Sequence, residues 1–436
     1  MGVQNKQTGA VTVGEILRVR GGRPLEGTVR LPSAKNSVLP ILAAAVLADG
    51  PVVLRDVPDL ADVHASVAIL RALGLTVRRR GGDLHLLPAP VPGWQLPEAP
   101  ARAMRSSVFY LAPVLHRAGC VRMPMPGGCR LGPRPIDIHL DGLSRMGAQT
   151  LWEDGWLELR TSARLQGIDY TLRLPSVGAT ETLLMAAALA KGDTVLRNVA
   201  REPEIRDLAD FLNACGARIE GAGQPVIRVQ GKTSLHGARH RPIPDRIVAA
   251  TVAAAVAGCG GCVTMLGTGE DPLGPVADVL ERAGCHTDHP VPESWRVQRQ
   301  DRLQGVGLVR TGVWPGFSTD AAPVVAGGLL AAQGDTVVED TVFEDRFACA
   351  EGFAQLGGQV CRRGRALAMH GPVQLSGARV RAADLRGGAG LAVAALAAAG
   401  ESVVEGAEYV RRGYADLAGM FRALGADVCA GRENRA

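Results

Sequence analysis

The stretch "LRALGLTVRRRGGDLHL", residues 70–86, runs from a helix end through a glycine stop into two alternating segments joined by a polar turn. A glycine after the last helical residue accepts the left-handed conformation cheaply, and alternation on either side of a Gly-containing turn is the pattern of a hairpin. The same order recurs as "LSRMGAQTLWEDGWLEL", "LNACGARIEGAGQPVIRV", "LERAGCHTDHPVPESWRV", "FAQLGGQVCRRGRALAM" and "FRALGADVCAGR". The marker glycines Gly74, Gly147, Gly216, Gly284, Gly357 and Gly425 lie 68 to 73 residues apart, so six copies fill the chain. A fixed period is a sign of repeated architecture.

Upstream of the marker a second piece recurs, an Ala-rich helix that stops at Gly and enters a β-branched strand, as in "AAALAKGDTVLRNV" and "GLLAAQGDTVVEDTV". Each unit therefore reads as helix, strand, helix and hairpin, with narrow Ala-rich helices inside and sheets outside. Repeats this large predict two domains of three units, with a cleft between them where ligands bind. The Pro-rich "RHRPIPDRI", residues 239–247, follows the third unit and is the natural crossover. The segment "EILRVRGGRPLEGTVRL" precedes the first unit without a partner strand, which places its complement in the second half. The expected domains are residues 34–244 and residues 1–33 with 245–436, with "SAKN" and "IPDR" as the hinge segments.

Composition narrows the function. Aromatics make up 4% of the chain and the net charge of +5 is scattered, which argues against base-stacking platforms and a nucleic-acid footprint. No apolar run of about 18 residues lacks Gly or charge, so neither a signal peptide nor a membrane span is expected and the reading is cytoplasmic. Nine cysteines without framework spacing fit a reducing compartment. Cys259, Cys262, Cys285, His286 and His289 form one CxxC and a long irregular gap, weak grounds for a tetrahedral zinc site. No metal is expected.

Among 48 cationic residues there are 44 arginines and four lysines, so Lys35 in "LPSAKNSVLP" stands out. A compact ammonium can follow a moving anion where a planar guanidinium cannot, which points to a small, highly charged ligand; a lysine kept by chance is the plain alternative. "MPGGCRLGPRPIDIH", residues 125–139, presents Cys129 between glycines and arginines, and Arg130 and Arg134 would favour its thiolate if they approach it. "SVGAT" opens an apolar helix and suits either an N-cap or a phosphate. Arg105, Asp320, Arg346, Asp384, Arg386, Arg411 and Arg412 are further candidates. Their pattern alone does not assemble them into one site.

In order along the chain, "SAKNSVLPIL", "MRSS", "PGGCRLGPRPIDIH", "PSVGATET", "AREPEIRDLADFL", "PDRI", "FSTD", "TVFEDRF", "ADLRGGAGL" and "RRGY" resemble the UDP-N-acetylglucosamine enolpyruvyl transferase family, from about residue 16 to residue 427. The resemblance implies a two-domain inside-out α/β barrel of six βαβαββ-like repeats and transfer of the enolpyruvyl group of phosphoenolpyruvate to a sugar hydroxyl, with release of phosphate and without a cofactor. It implies that Lys35, Cys129, Asp320, Asp384 and Arg412 carry the chemistry. Lys35, Arg134 and Arg412 match phosphate-holding residues, and Arg346 and Arg386 those near the carboxylate and the closing cleft. Cys129 matches a lid cysteine that assists protonation of the methylene carbon, and Asp320 a carboxylate that takes the acceptor proton. Asn36 matches a sugar contact, Arg105 a cleft arginine, and Arg134, Pro135 and Asp137 with Ser176, Val177 and Gly178 match segments holding the uridine diphosphate. Val342 joins the binding set.

This chain departs from the family where Val248 replaces an acidic hinge residue, where Tyr409 and Arg411 replace His and Asp before the "RGY" motif, and where Pro323 enters a helix start. The departures leave three readings: transfer to UDP-N-acetylglucosamine, transfer to another uridine nucleotide such as UMP in a nucleoside-antibiotic pathway, and a non-catalytic homologue that binds a nucleotide sugar. Oligomeric state is not legible.

Overall fold

In the computed structural model, which describes residues 13–89, 93–127, 136–269 and 273–434, the repeat is visible in the backbone. All six marker glycines adopt φ between +93° and +105°, the left-handed region in which each helix ends and each hairpin begins. Two separate clusters of buried apolar side chains form the cores. One gathers residues from Val38 to Leu235; the other joins Leu17, Val19, Leu25 and Leu31 to residues from Val248 to Val428. With helices inside and sheets outside in both halves, the fold is the expected inside-out α/β barrel.

Helices that are apolar on every side belong in the interior. In the second half Arg246–Cys259, Ala322–Gly328 and Leu385–Ala397 pack on one another and are buried along nearly their whole lengths. In the first half Lys35–Ala44 and Val177–Ala188 both pack on the 3-10 turn Arg105–Tyr110, and Val177–Ala188 also packs on Leu111–Ala118, which continues that turn. Small residues let the axes come close: a Cβ on Gly390 would stand 2.4 Å from the Pro323 carbonyl oxygen. Gly390→Ala should therefore cost about 1–3 kcal/mol, the range for overpacking a core. Urea unfolding checks this, and an unchanged midpoint would mean that the helices can move apart. Pro323 itself lies in the first turn of its helix, where no amide donor is needed.

Among the described residues, sheets wrap these helices in both halves, five of four strands and one of three. The N-terminal segment supplies two of the strands. Val13–Arg20 lies antiparallel between Glu401–Glu405 and Asp427–Asn434, and Leu25–Arg30 runs parallel to Gly261–Leu266. Its complement thus lies in the second half, and Val13–Arg20 completes the sixth hairpin. One element was not visible in the sequence. A short strand after the hairpin joins the next unit's β-branched strand in parallel, as Asp169–Thr171 joins Asp193–Arg197 and Arg379–Arg381 joins Glu401–Glu405.

The chain passes between the cores twice, and the two passages are tied together. Ser33 bridges Pro244 in antiparallel pairing, the Ala34 amide donates to the Ile243 carbonyl at 2.7 Å, and the Asp245 amide to the Pro32 carbonyl at 2.8 Å. Asp245 caps the helix Arg246–Cys259 by accepting from the Ile247 and Val248 amides, and its other oxygen accepts the Lys35 amide at 3.1 Å. Lys35 and the first turn of that helix are therefore set by one carboxylate. Among the described residues no helix is long and apolar enough to cross a membrane.

Candidate active site

Two groups of opposed charges stand where the halves meet. In the first, Lys35 opens the helix Lys35–Ala44 and is 9% exposed. Its Nζ lies 2.7 Å from Oδ2 of Asp62, near the start of the helix Ala61–Ala72. Arg412, from the other half, grips the same carboxylate, with Nε 2.9 Å from Oδ1 and Nη2 3.3 Å from Oδ2. Burial pushes the Asp62 carboxyl up, but Lys35 and Arg412 outweigh it and hold the acid below its ordinary range.

In the second group Asp320 accepts from Arg346 Nη2 at 3.1 Å through Oδ1, and from Arg386 Nε and Nη2 at 3.3 and 3.2 Å through Oδ2. Arg346 is fully buried, stacks on the Phe343 ring and donates through Nε to Thr319 at 3.0 Å, with Asp340 behind it at 3.6 Å. Arg386 also reaches the Tyr414 hydroxyl at 3.4 Å, which pairs with Thr251 at 2.7 Å. These supports fix both guanidinium planes. Burial raises the Asp320 carboxyl, yet the charges of Arg386, Arg346, Lys35 and Arg246 carry it well below the usual carboxylate range. The charge of Lys35, in the first group, is thus felt at Asp320 in the second.

Asp384 caps the helix Leu385–Ala397 by accepting the Arg386 and Gly387 amides at 3.0 and 2.9 Å. Its other oxygen is buried without a hydrogen-bond partner among the described residues, and burial raises its acid. Val342, half exposed, donates its amide to Asp340 at 2.7 Å.

A third group lies in the first half. Ser176 caps the helix Val177–Ala188 by accepting from the Ala179 amide at 3.3 Å. Gly178 lies against the buried His139 ring, where a Cβ would meet Cε1 at 3.2 Å. His139 belongs to the helix Asp137–Arg145, and burial, then the charge of Arg105, lowers it to about 3. The structure thus brings Arg105, Asp137, Ser176, Val177 and Gly178 into one neighbourhood, with Asp137 paired to Arg173. Half-buried Asn36 sits beside Lys35. Cys129, Arg134 and Pro135 lie outside the described residues.

Some functional side chains were not found by reading the sequence. Asp62, Thr319, Asp340 and Tyr414 hold the cations, and Asp245 ties Lys35 to the second half. Arg246 adds another tie between the halves, gripping Glu204 at 2.9 Å under the Trp314 ring. Of the family departures, Arg411 turns to Glu15 at 3.0 Å, Tyr409 is exposed, and Val248 is buried in its helix. No group of three His, Cys, Asp or Glu side chains among the described residues is arranged to hold a metal. Burial raises the Cys259 and Cys285 thiols to about 12 and about 11.

The chain matches the profile of the EPSP synthase (3-phosphoshikimate 1-carboxyvinyltransferase) family over residues 19–420. It is 42% identical over 414 residues to a UDP-N-acetylglucosamine 1-carboxyvinyltransferase of Granulibacter bethesdensis, covering 94% of this chain and 98% of that one. It is 43% identical over 415 residues to UDP-N-acetylglucosamine 1-carboxyvinyltransferase 1 of Halalkalibacterium halodurans, with 95% and 94% covered. Among solved structures, the enolpyruvyl transferase NikO from Streptomyces tendae matches with a TM-score of 0.87 at 27% identity, over 97% of this chain and all of that one. EPSP synthase from Acinetobacter baumannii shares the fold with a TM-score of 0.71 at 19% identity, over 96% of this chain and all of that one.

Proposed function

This chain belongs to the UDP-N-acetylglucosamine 1-carboxyvinyltransferase family of enolpyruvyl transferases, and from that premise we propose that it transfers the enolpyruvyl group of phosphoenolpyruvate to a hydroxyl of UDP-N-acetylglucosamine, the first committed step toward peptidoglycan. The observation that carries the acceptor is the 42% identity to a relative of that name across 94% of the chain. In the addition, the acceptor oxygen bonds to C2 of phosphoenolpyruvate while a proton joins C3. In the elimination, the C2–O bond to phosphate breaks, C3 gives up a proton and the double bond returns.

Lys35 and Arg412, with Arg134, hold the phosphoryl group; Arg346 and Arg386 hold the carboxylate. A mobile ammonium suits the leaving phosphate and planar forks suit the carboxylate. Asp320 takes the acceptor proton, Cys129 assists protonation of C3, and Asp384 supports the turn carrying Arg386. Arg105, Arg134, Pro135, Asp137, Ser176, Val177 and Gly178 hold the uridine diphosphate and Asn36 the sugar, with Val342 also in the substrate-binding set.

A carboxylate ringed by cations is a poor base, since proton transfer is best when the base is matched to the working pH. Substrate anions on Arg386, Arg346 and Lys35 offset their field at Asp320 and raise its basicity. The base is thus switched on by the substrate it serves.

A second reading keeps the chemistry and changes the acceptor to another uridine nucleotide; the likeness to NikO, an enolpyruvyl transferase, fits that chemistry equally. Arg411 is engaged by Glu15 and Val248 is buried, so these departures leave intact the Asp320 and Asp62 groups that both readings require. Phosphate release from phosphoenolpyruvate, measured with UDP-N-acetylglucosamine, UMP and UDP in parallel, tests both. The sugar nucleotide alone should support release; release with UMP and not with the sugar nucleotide would replace the first reading by the second.

A further inference from the structure

Both oxygens of Asp62 are spent on Lys35 and Arg412. The acid does not cap its own helix, whose N-cap is Leu60 with no side-chain bond. Its burial makes it costly unless those two cations are present, and the cations in turn are costly without it. Asp62 and Arg412 also come from different halves, and the Ala61 amide reaches the Arg411 carbonyl at 3.4 Å beside them.

We propose that Asp62 is a positioning residue for the phosphate subsite: a resident anion that holds Lys35 and Arg412 in the empty site, yields both to the substrate's phosphoryl group, and takes them back as phosphate leaves. The proposal rests on the enolpyruvyl-transfer reading. Its consequence is a weaker grip on substrate and product in exchange for two aimed cations and a fast release of phosphate.

Asp62→Asn keeps the shape and removes the charge. Titration calorimetry with inorganic phosphate should show binding about tenfold tighter than in the wild type, the order expected when a competing charge is removed from a partly buried pair. Steady-state kinetics should show a lower KM for phosphoenolpyruvate and a lower kcat, with kcat/KM little changed, because release is slowed. A scaffold would behave otherwise, losing phosphate affinity as Lys35 and Arg412 lose their aim. Asp62→Ser gives the same comparison if the asparagine variant does not fold. Phosphate binding that is unchanged or weaker in the variant overturns the role of Asp62 alone. Wild-type protein that binds neither phosphate nor phosphoenolpyruvate overturns the subsite, and the enolpyruvyl reading with it.

Discussion

Asp320→Asn should lower kcat by about two to four orders of magnitude, the range for loss of a positioned general base, while KM for phosphoenolpyruvate stays level or falls. Asparagine keeps the hydrogen-bond geometry toward Arg346 and Arg386 but cannot take the acceptor proton. It also returns both guanidinium groups, formerly shared with a carboxylate, to the substrate. A structural role predicts the reverse: without the countercharge Arg346 would lose its aim, and KM would rise.

The wild-type pH profile carries the same argument. In the free enzyme the folded-state acidity of Asp320 is shifted down by Arg386, Arg346, Lys35 and Arg246 against the effect of burial. A group shifted in that direction stays ionised until pH falls below the ordinary carboxylate range. Hence kcat/KM for phosphoenolpyruvate should show no acid limb from this group at mildly acidic pH. With substrate anions on the cations the shift is partly undone, so the acid limb of kcat should stand at higher pH than that of kcat/KM. Coincident limbs, or an asparagine variant keeping more than about a tenth of kcat, would place the base elsewhere.

The repeat was legible because its markers are local. A glycine at φ near +93° is needed wherever an outer helix turns into a hairpin, so Gly74 and Gly425 announce the same event at opposite ends of the chain. The short parallel strands were not legible, because three residues such as Asp169–Thr171 are too few to show alternation. Their trace is a Leu-x-Gly before each: a Cβ on Gly167 or Gly377 would stand 2.2 Å from the carbonyl oxygen of Asp193 or Glu401. Motifs pointed to Lys35, Asp320, Arg346, Arg386 and Arg412, but not to their partners. Asp62 in a first helical turn looks like an ordinary match to the helix dipole. Its bond to Arg412 spans 350 residues, a separation no local pattern records.

Lys35→Arg should lower kcat/KM for phosphoenolpyruvate by about a hundredfold while the protein stays folded, the scale on which a misplacement of about 1 Å acts in a reacting site. The substitution keeps the charge, so simple electrostatics predicts little change. Geometry predicts otherwise. The Lys35 side chain is buried, its amide is held by Asp245 at the passage between the halves, and its Nζ reaches Asp62 at 2.7 Å. A guanidinium there needs more room and would compete with Arg412 for the two oxygens of one carboxylate, fastening the subsite instead of leaving a point charge to follow the departing phosphate. Lys191→Arg, at an exposed position, is the control for the substitution itself and should leave kinetics unchanged. In a chain with 44 arginines among 48 cationic residues, full activity in the Lys35 variant would mean that this lysine persists by chance. A hundredfold loss with an unaltered melting temperature would mean that the reaction requires an ammonium there.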